Sequence, residues 1–271
     1  MKPIQDQTIL ITGATDGIGK LAALRLADQR VQVLIHGRNP EKVTAVVAEA
    51  KNSSGNKKIE GLSADFSSLS EVRRLAEEIL ERHPRLDVLI NNAGVGFADE
   101  RYSRDGHELR FAVNYLAPFL FTHLLLPALK NAAPARIVNV ASAGQYPVDF
   151  EDIMLEKHFD GIKAYRRSKL SLIMFTFDLA EELKEARITV NAMHPGTYLN
   201  TNMVRRAKVT PLGEPDSGAQ AEVFLATSPA LEGVTGQYFN VRTEARAEAQ
   251  AYDPQARKQL RELALRLTGL K

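Results

Sequence analysis

Tyr165 and Lys169 stand four residues apart in the run Tyr165-Arg166-Arg167-Ser168-Lys169, which on a helix puts both on one face. A free phenol titrates near about pH 10, too high for easy proton exchange at neutrality. An ammonium one turn away, joined by the positive charge of an oxidised nicotinamide, lowers that value, so the pair can release and recover a proton. Ser142, at the tip of the apolar run 135–141, adds a second hydroxyl, and Asn114 adds a carboxamide within a long apolar stretch. Hydride exchange between a nicotinamide and a carbonyl needs an oriented oxygen, a proton donor and a cavity free of competing water. Ser142 and Tyr165 supply the first two, Tyr165 as acid in reduction and base in oxidation. Lys169 also reaches ribose hydroxyls, and Asn114 holds a water that relays protons from Lys169 to solvent. Each residue has a plainer reading as well. A Tyr and a Lys four apart recur by chance, a Ser at a strand end is usually a turn residue, and an Asn can satisfy a helix backbone. Their joint occurrence in this chain order is what argues for chemistry.

The elements that position these groups begin at the N-terminus. Residues 8–12 form a β-branched run, and Leu21, Leu24 and Leu26 fall at helical spacing after Gly13-Ala14-Thr15-Asp16-Gly17-Ile18-Gly19. Strand, glycine turn and helix in that order aim free N–H groups and the positive end of a helix dipole at an anion above the turn. Gly13 permits the tight turn, Gly17 the approach of a phosphate, and Gly19 close packing of helix on strand. A structural turn without a ligand is the alternative; the flanking strand and helix favour a dinucleotide. A second strand, 31–36, ends in His36-Gly37-Arg38-Asn39. NAD-binding proteins usually place a carboxylate there, about 20 residues beyond the glycines. Here Arg38 offers a planar fork to a 2′-phosphate, so NADP(H) is favoured over NAD(H). Otherwise Arg38 is a solvated turn residue, since Asn39-Pro40-Glu41 also makes a good helix start.

A third strand, 58–64, ends at Asp65-Phe66, where an adenine ring would rest, and Ser68-Leu69-Ser70-Glu71 reads as a capping box opening a helix to residue 83. A fourth, 86–90, stops at Asn91-Asn92-Ala93-Gly94; a fifth covers 135–141, and a sixth, 187–193, ends in His194-Pro195-Gly196. Polar or glycine-rich turns thus gather on one edge of a parallel sheet, where ligands bind in doubly wound folds. An irregular stretch separates Ser142 from a helix that starts at Tyr165 and runs to 184. Residues 197–218 read as a mobile substrate flap with solvated charges. A helix at 219–226, a strand at 237–241 and an amphipathic tail opened by Asp253-Pro254 complete the chain. The expectation is one α/β Rossmann domain over 1–271, a doubly wound parallel sheet of about seven strands with helices on both faces.

Composition narrows the remaining classes. At 271 residues and 44% hydrophobic, the chain can bury roughly 70–75% of its unfolded surface and needs no metal or disulfide staple. Cysteine is absent, which excludes disulfides, thiolate nucleophiles and Cys-ligated zinc and fits a cytoplasmic protein. The six histidines include no i, i+4 pair, so no metal site is expected. A net charge of +2 gives no footprint for nucleic acid or a membrane surface. The first seven residues have no apolar core of signal-peptide length. Residues 111–129 lack any Asp, Glu, Lys or Arg, yet Asn114, Pro118, His123 and Pro127 favour a buried helix over a membrane span. The helices holding Asn114 and Tyr165 are apolar on more than one face, through Phe119, Phe121 and Leu124 in one and Leu172, Phe175 and Phe177 in the other. A homodimer contact would use what the core leaves.

These segments together resemble the short-chain dehydrogenase/reductase family: Thr12-Gly13-Ala14-Thr15-Asp16-Gly17-Ile18-Gly19, Asp65, Asn91-Asn92-Ala93-Gly94, Asn114, Ser142, Tyr165 to Lys169, and Pro195-Gly196. The resemblance implies Asn114, Ser142, Tyr165 and Lys169 as the catalytic set. It also implies cofactor contacts from Ile18, Asp65, Asn91 and the backbone after Pro195-Gly196, reaching Thr197. Gly17-Ile18-Gly19-Lys20, the long separation of Ser142 from Tyr165, His194-Pro195-Gly196 and Gly236-Gln237-Tyr238-Phe239 make the chain similar to the retinol dehydrogenase and carbonyl reductase branch. Two departures stand out. The Thr expected five residues after Pro195 is Asn200, with Thr201 one place late. The hydrophobic N-terminal anchor of many membrane-bound retinol dehydrogenases is missing, which argues for a soluble enzyme. The expected activity is NADP(H)-dependent interconversion of a small-molecule carbonyl and alcohol. A lipophilic substrate is implied if Phe97, Tyr102, Tyr146, Phe150, Tyr198 and Met203 line a cleft, and not if they form satellite cores. A non-catalytic dinucleotide-binding sensor is the alternative on the same scaffold, but it has no need of all four catalytic residues. A methyltransferase would leave Tyr165 and Lys169 without a task.

Overall fold

Ile9 and Ile11 face one side of the central sheet and Leu10 the other, the period of two that a strand imposes, and all three are fully buried. Burial on both faces is what a parallel sheet covered by helices requires. A computed structural model describes residues 1–270. The chain runs β1 (Thr8–Ile11), α1 (Gly17–Asp28), β2 (Gln32–Gly37), α2 (Pro40–Ser54), β3 (Ile59–Ser63), α3 (Leu69–Arg82), β4 (Val88–Asn91), α4 (Leu109–Ala132) and β5 (Ala135–Val140). It continues through α5 (Gly161–Glu182), β6 (Ile188–His194), α6 (Asn202–Arg206), α7 (Pro215–Thr227), β7 (Tyr238–Asn240), β8 (Thr243–Ala245) and α8 (Pro254–Thr268). The strand order is β3-β2-β1-β4-β5-β6-β7-β8, with β8 alone antiparallel. The sheet therefore has one strand more than the sequence suggests, because the chain turns back at Val241-Arg242 and pairs with β7. Helices α1, α2 and α7 cover one face; α3, α4, α5 and α8 cover the other. The strand order reverses between β1 and β4, and the crevice there opens at their C-terminal ends.

Several boundaries differ from the sequence expectation for local reasons. Helix α5 starts at Gly161, before Tyr165, because the Asp160 carboxylate accepts from the N–H groups of Ile162 and Lys163 at 2.8 and 3.1 Å. The flap contains the short helix α6, capped by Thr201, and α7 already begins at Pro215. The expected capping box on α3 does not form. Asp105 takes the Leu69 N–H at 2.7 Å, while Glu71 accepts from the Asp65 N–H at 2.7 Å and pairs with Arg104.

Helix α4 is long and apolar enough to cross a membrane by composition, but 72% of its most apolar window is buried inside the protein. Helix α8 of the same chain packs against part of α4, around Tyr115, and of α5, while Leu124 on α4 stays partly exposed. Leu260 and Ala264 are buried there, Tyr115 Oη donates to Leu260 O at 3.4 Å, Arg257 pairs with Asp178 and Glu181, and Arg261 pairs with Glu182.

Candidate active site

At the crevice the two central strands are locked by short polar contacts. The Thr12 hydroxyl accepts from Asn92 N at 3.0 Å and Ala93 N at 2.9 Å, and Asn92 Nδ2 donates to Thr12 O and Gly13 O. Gly13 has φ +64°, and a Cβ on it would lie 2.6 Å from Ala93 Cα. Asp16 caps α1 through the Gly17 N–H, and the first intrahelical bond runs from Lys20 N to Asp16 O, leaving the N–H groups of Ile18 and Gly19 directed at the turn. Thr15 packs where a side chain on Gly37 would sit. The flap rests on this turn: Asn202 donates to Asp16, and Thr201 lies over Gly17. Arg38 is exposed at the end of β2 and has no ion-pair partner among the described residues, whereas the Asn39 side chain caps α2 by accepting from Lys42 N at 3.0 Å.

Three elements bring the proposed chemical groups together. Ser142 follows β5, and its carbonyl is held by Tyr238 Oη at 3.2 Å and Gln145 Nε2 at 3.0 Å. Tyr165 and Lys169 project from α5, with Lys169 Nζ 5.8 Å from the centre of the Tyr165 ring. Lys169 is 4% exposed and donates to Val140 O at 2.7 Å. Burial draws its pKa down to about 8, against the opposing pull of the Glu222 carboxylate. The Tyr165 phenol is raised above its ordinary value by burial, and contact with the Ser142 hydroxyl works the other way. Burial and the Ser142 hydroxyl are thus the opposing influences on the phenol here, beside the Lys169 ammonium that shares its helix face. Asn114 lies in a widened turn of α4, 112–116, closed by Ala117 N bonding to Ala112 O. Its Oδ1 accepts from Val95 N at 2.7 Å, and its Nδ2 donates to Val95 O and Ser168 Oγ, both at 2.9 Å. The side chain thus spans the Val95 backbone and the Ser168 hydroxyl. A Cβ on Gly94 would lie 3.3 Å from Asn114 Oδ1 and 3.4 Å from Lys169 Nζ, so these two atoms flank the Gly94 backbone.

The short chain dehydrogenase model matches residues 7–211. The chain belongs to the short-chain dehydrogenase/reductase family. It is 34% identical to mouse retinol dehydrogenase 13, over 98% of this chain and 85% of that protein. An uncharacterised protein from Mycobacterium paratuberculosis has the same fold at a TM-score of 0.81 and 28% identity, covering 97% of this chain and 93% of that one. The Pseudomonas aeruginosa RhlG/NADP active-site complex superposes at 0.70 with 29% identity, over 89% and 97%. This short-chain dehydrogenase is an oxidoreductase of the retinol dehydrogenase-like branch.

Two expected cofactor residues are turned away from the crevice of this short-chain dehydrogenase. Phe66 is buried, stacked on His36 at 4.3 Å and edge-on to Phe121, so its ring belongs to the core and offers no face to an adenine. The Asn91 side chain points under the sheet to Thr122 and Asn139, leaving its backbone as the part that faces the crevice edge. Asp65 is half-buried at the β3 end, accepting from Ser67 N at 2.9 Å. Gly196 has φ +132°, and the exposed Thr197 bonds His194 at 3.0 Å.

Other residues in the crevice carried no signal of their own in the sequence. His36 is buried beneath the glycine turn, bonded to Ala64 O and facing Gly13 N, and burial lowers its pKa to about 4, which keeps it neutral. Arg110 and Arg167 are buried and grip the loops after β4 and β5 by their carbonyls. A lone charge in the apolar run Leu109-Arg110-Phe111 was the available clue. Of the six apolar residues expected on the loops, Phe97, Tyr102, Tyr146, Tyr198 and Met203 are exposed, and Phe150 packs against the core.

Proposed function

We propose that this short-chain dehydrogenase interconverts a carbonyl and an alcohol with NADP(H) on a bulky lipophilic substrate. The observation that carries this reading is the meeting of Ser142, Tyr165 and Lys169 beside Gly94, at the edge where β1, β4 and β5 end. The donor set suits a phosphorylated dinucleotide. The N-terminus of α1 faces a pyrophosphate position, Arg38 is a free guanidinium beside the expected ribose position, and Lys169 has N–H groups beyond its bond to Val140. When bound, the nicotinamide supplies the hydride in reduction and accepts it in oxidation. Ser142 and Tyr165 orient the substrate oxygen, and Tyr165, protonated at neutral pH, gives its proton to the forming alkoxide. Lys169 holds ribose hydroxyls and stabilises the phenolate left behind. Asn114 holds Val95, and so keeps the Gly94 region in register with Lys169.

Arg38, with no carboxylate at the end of β2, supports NADP(H) over NAD(H). The exposed Phe97, Tyr146, Tyr198 and Met203 around the crevice support a lipophilic substrate, in keeping with a relative named for retinol. The test is loss of reduced-nicotinamide absorbance with NADPH or NADH and a panel of aldehydes, ketones and quinones. Turnover with NADPH is the expected result. Tight NADPH binding with no turnover across the panel would instead identify a sensor.

A further inference from the structure

Arg110 stands one turn before Asn114 on α4, and the two side chains hold successive residues of the segment that follows β4. Asn114 takes both backbone groups of Val95. Arg110, 2% exposed, takes the carbonyls beyond: Nε donates to Gly96 O at 3.0 Å, Nη2 to Ala98 O at 2.8 Å and Nη1 to Glu100 O at 3.1 Å. Glu108 balances the buried charge, with Oε1 accepting from Nη1 at 3.3 Å and Oε2 accepting from Phe111 N at 2.7 Å. The Phe159 ring lies 5.6 Å from the Arg110 guanidinium and 4.8 Å from that of Arg101, which itself donates to Leu155 O at 2.8 Å. The segment after β4 and the loop before α5 are therefore tied through two guanidiniums, one ring and the Arg101–Leu155 bond. Gly96, the first residue Arg110 holds, lies between the flap and Tyr165. A Cβ there would lie 3.0 Å from Met203 Cγ in the flap and 3.9 Å from Tyr165 Cδ2.

We propose that Arg110 is a positioning residue that, by holding the carbonyls of Gly96, Ala98 and Glu100, fixes the wall beside Tyr165 and sets the size of substrate the cleft accepts. This rests on the carbonyl–alcohol reading above. Only a planar fork reaches three carbonyls from one position; a lysine ammonium is a point charge on a flexible stem and does not replace it.

The experiment compares wild type with Arg110→Gln, Arg110→Lys and Arg110→Ala, using NADPH and two probe aldehydes, compact 4-nitrobenzaldehyde and extended retinaldehyde. In Arg110→Gln the KM for retinaldehyde rises about tenfold or more, since small misplacements of a binding wall are costly. The kcat for 4-nitrobenzaldehyde and the affinity for NADPH stay within about twofold of wild type. Added guanidinium ion restores the KM of Arg110→Ala, and Arg110→Lys stays defective. A ratio of the two KM values equal to wild type overturns the proposal, whether rates are intact or fall together as they would from a partly unfolded sample. If wild type turns over no member of the aldehyde, ketone and quinone panel, the carbonyl reading fails; then, or if only these two aldehydes are unreactive, the positioning role is judged by amide hydrogen exchange. Faster exchange confined to residues 95–100 in Arg110→Gln supports it, and unchanged exchange there overturns it.

Discussion

At the glycine turn backbone meets backbone: Gly13 sits where any Cβ would lie 2.6 Å from Ala93 Cα, and Thr12, Asn92 and Ala93 close the junction with bonds of 2.7–3.0 Å. Across the crevice the loops after β4 and β5 also depend on a different kind of contact. They are held at arm's length by long side chains, Arg110 on the carbonyls of 96, 98 and 100, and Arg167 on those of Pro147 and Asp152. The difference matters for tolerance. A backbone contact at φ +64° has nothing that can yield, whereas a loop hung from a guanidinium can be reshaped by neighbours without moving the strands beneath it.

Tyr165 stands between the two halves, and its substitution gives the largest expected effect. Tyr165→Phe lowers kcat by about a thousandfold and leaves NADPH affinity nearly intact, because the hydroxyl serves the proton and not the nucleotide. Steady-state rates beside NADPH fluorescence titration check this, and a near-normal rate would remove Tyr165 as the acid. Gly13→Ala weakens NADPH binding about ten- to hundredfold through overpacking against Ala93, read by the same titration. Arg38→Asp shifts the NADPH/NADH preference by about ten- to hundredfold toward NADH; an unchanged ratio would show that Arg38 does not read the 2′-phosphate.

A pH experiment probes α7, which packs on the cofactor half. Glu222 is fully buried with both oxygens unpartnered, and burial raises its pKa from 4.5 to about 8. Between those values the folded state binds the extra proton, so stability falls as pH rises. Urea unfolding of wild type should lose about 2–4 kcal/mol from pH 5 to pH 8 on this account, and Glu222→Gln should flatten that slope. The smallest effect belongs to the substrate half. Gly96→Ala presses on the Met203 side chain, at 3.0 and 3.1 Å, and meets Tyr165 Cδ2 at an ordinary contact distance of 3.9 Å; it raises KM by about two- to threefold because a methionine side chain can give way. A Gly96→Ala enzyme as impaired as Gly13→Ala would erase the distinction between the halves.

The same distinction explains what could be read early. The glycine turn, the Asn91–Gly94 strand end and the Tyr165–Lys169 spacing are local, and local spacing survives in a linear sequence. Phe66 misled, because adjacency to Asp65 places it near a nucleotide, while its rotamer is decided by His36 and Phe121 from other strands and helices. The sequence places the start of α5 at Tyr165 rather than Gly161 because the cap, Asp160, lies in an irregular stretch without periodicity.

Hydrophobic periodicity, glycines and one Tyr–Lys interval were enough to specify a doubly wound sheet with a dinucleotide crevice, since each of those signals acts within one element and its neighbour. Folding alone decided that Asn114 grips Val95, that Arg110 ties the loop beside Tyr165, and that α8 docks on Tyr115 and the C-terminal part of α5. Those contacts join residues many positions apart, and their partners are backbone carbonyls and packed surfaces, which every residue carries and no residue type announces.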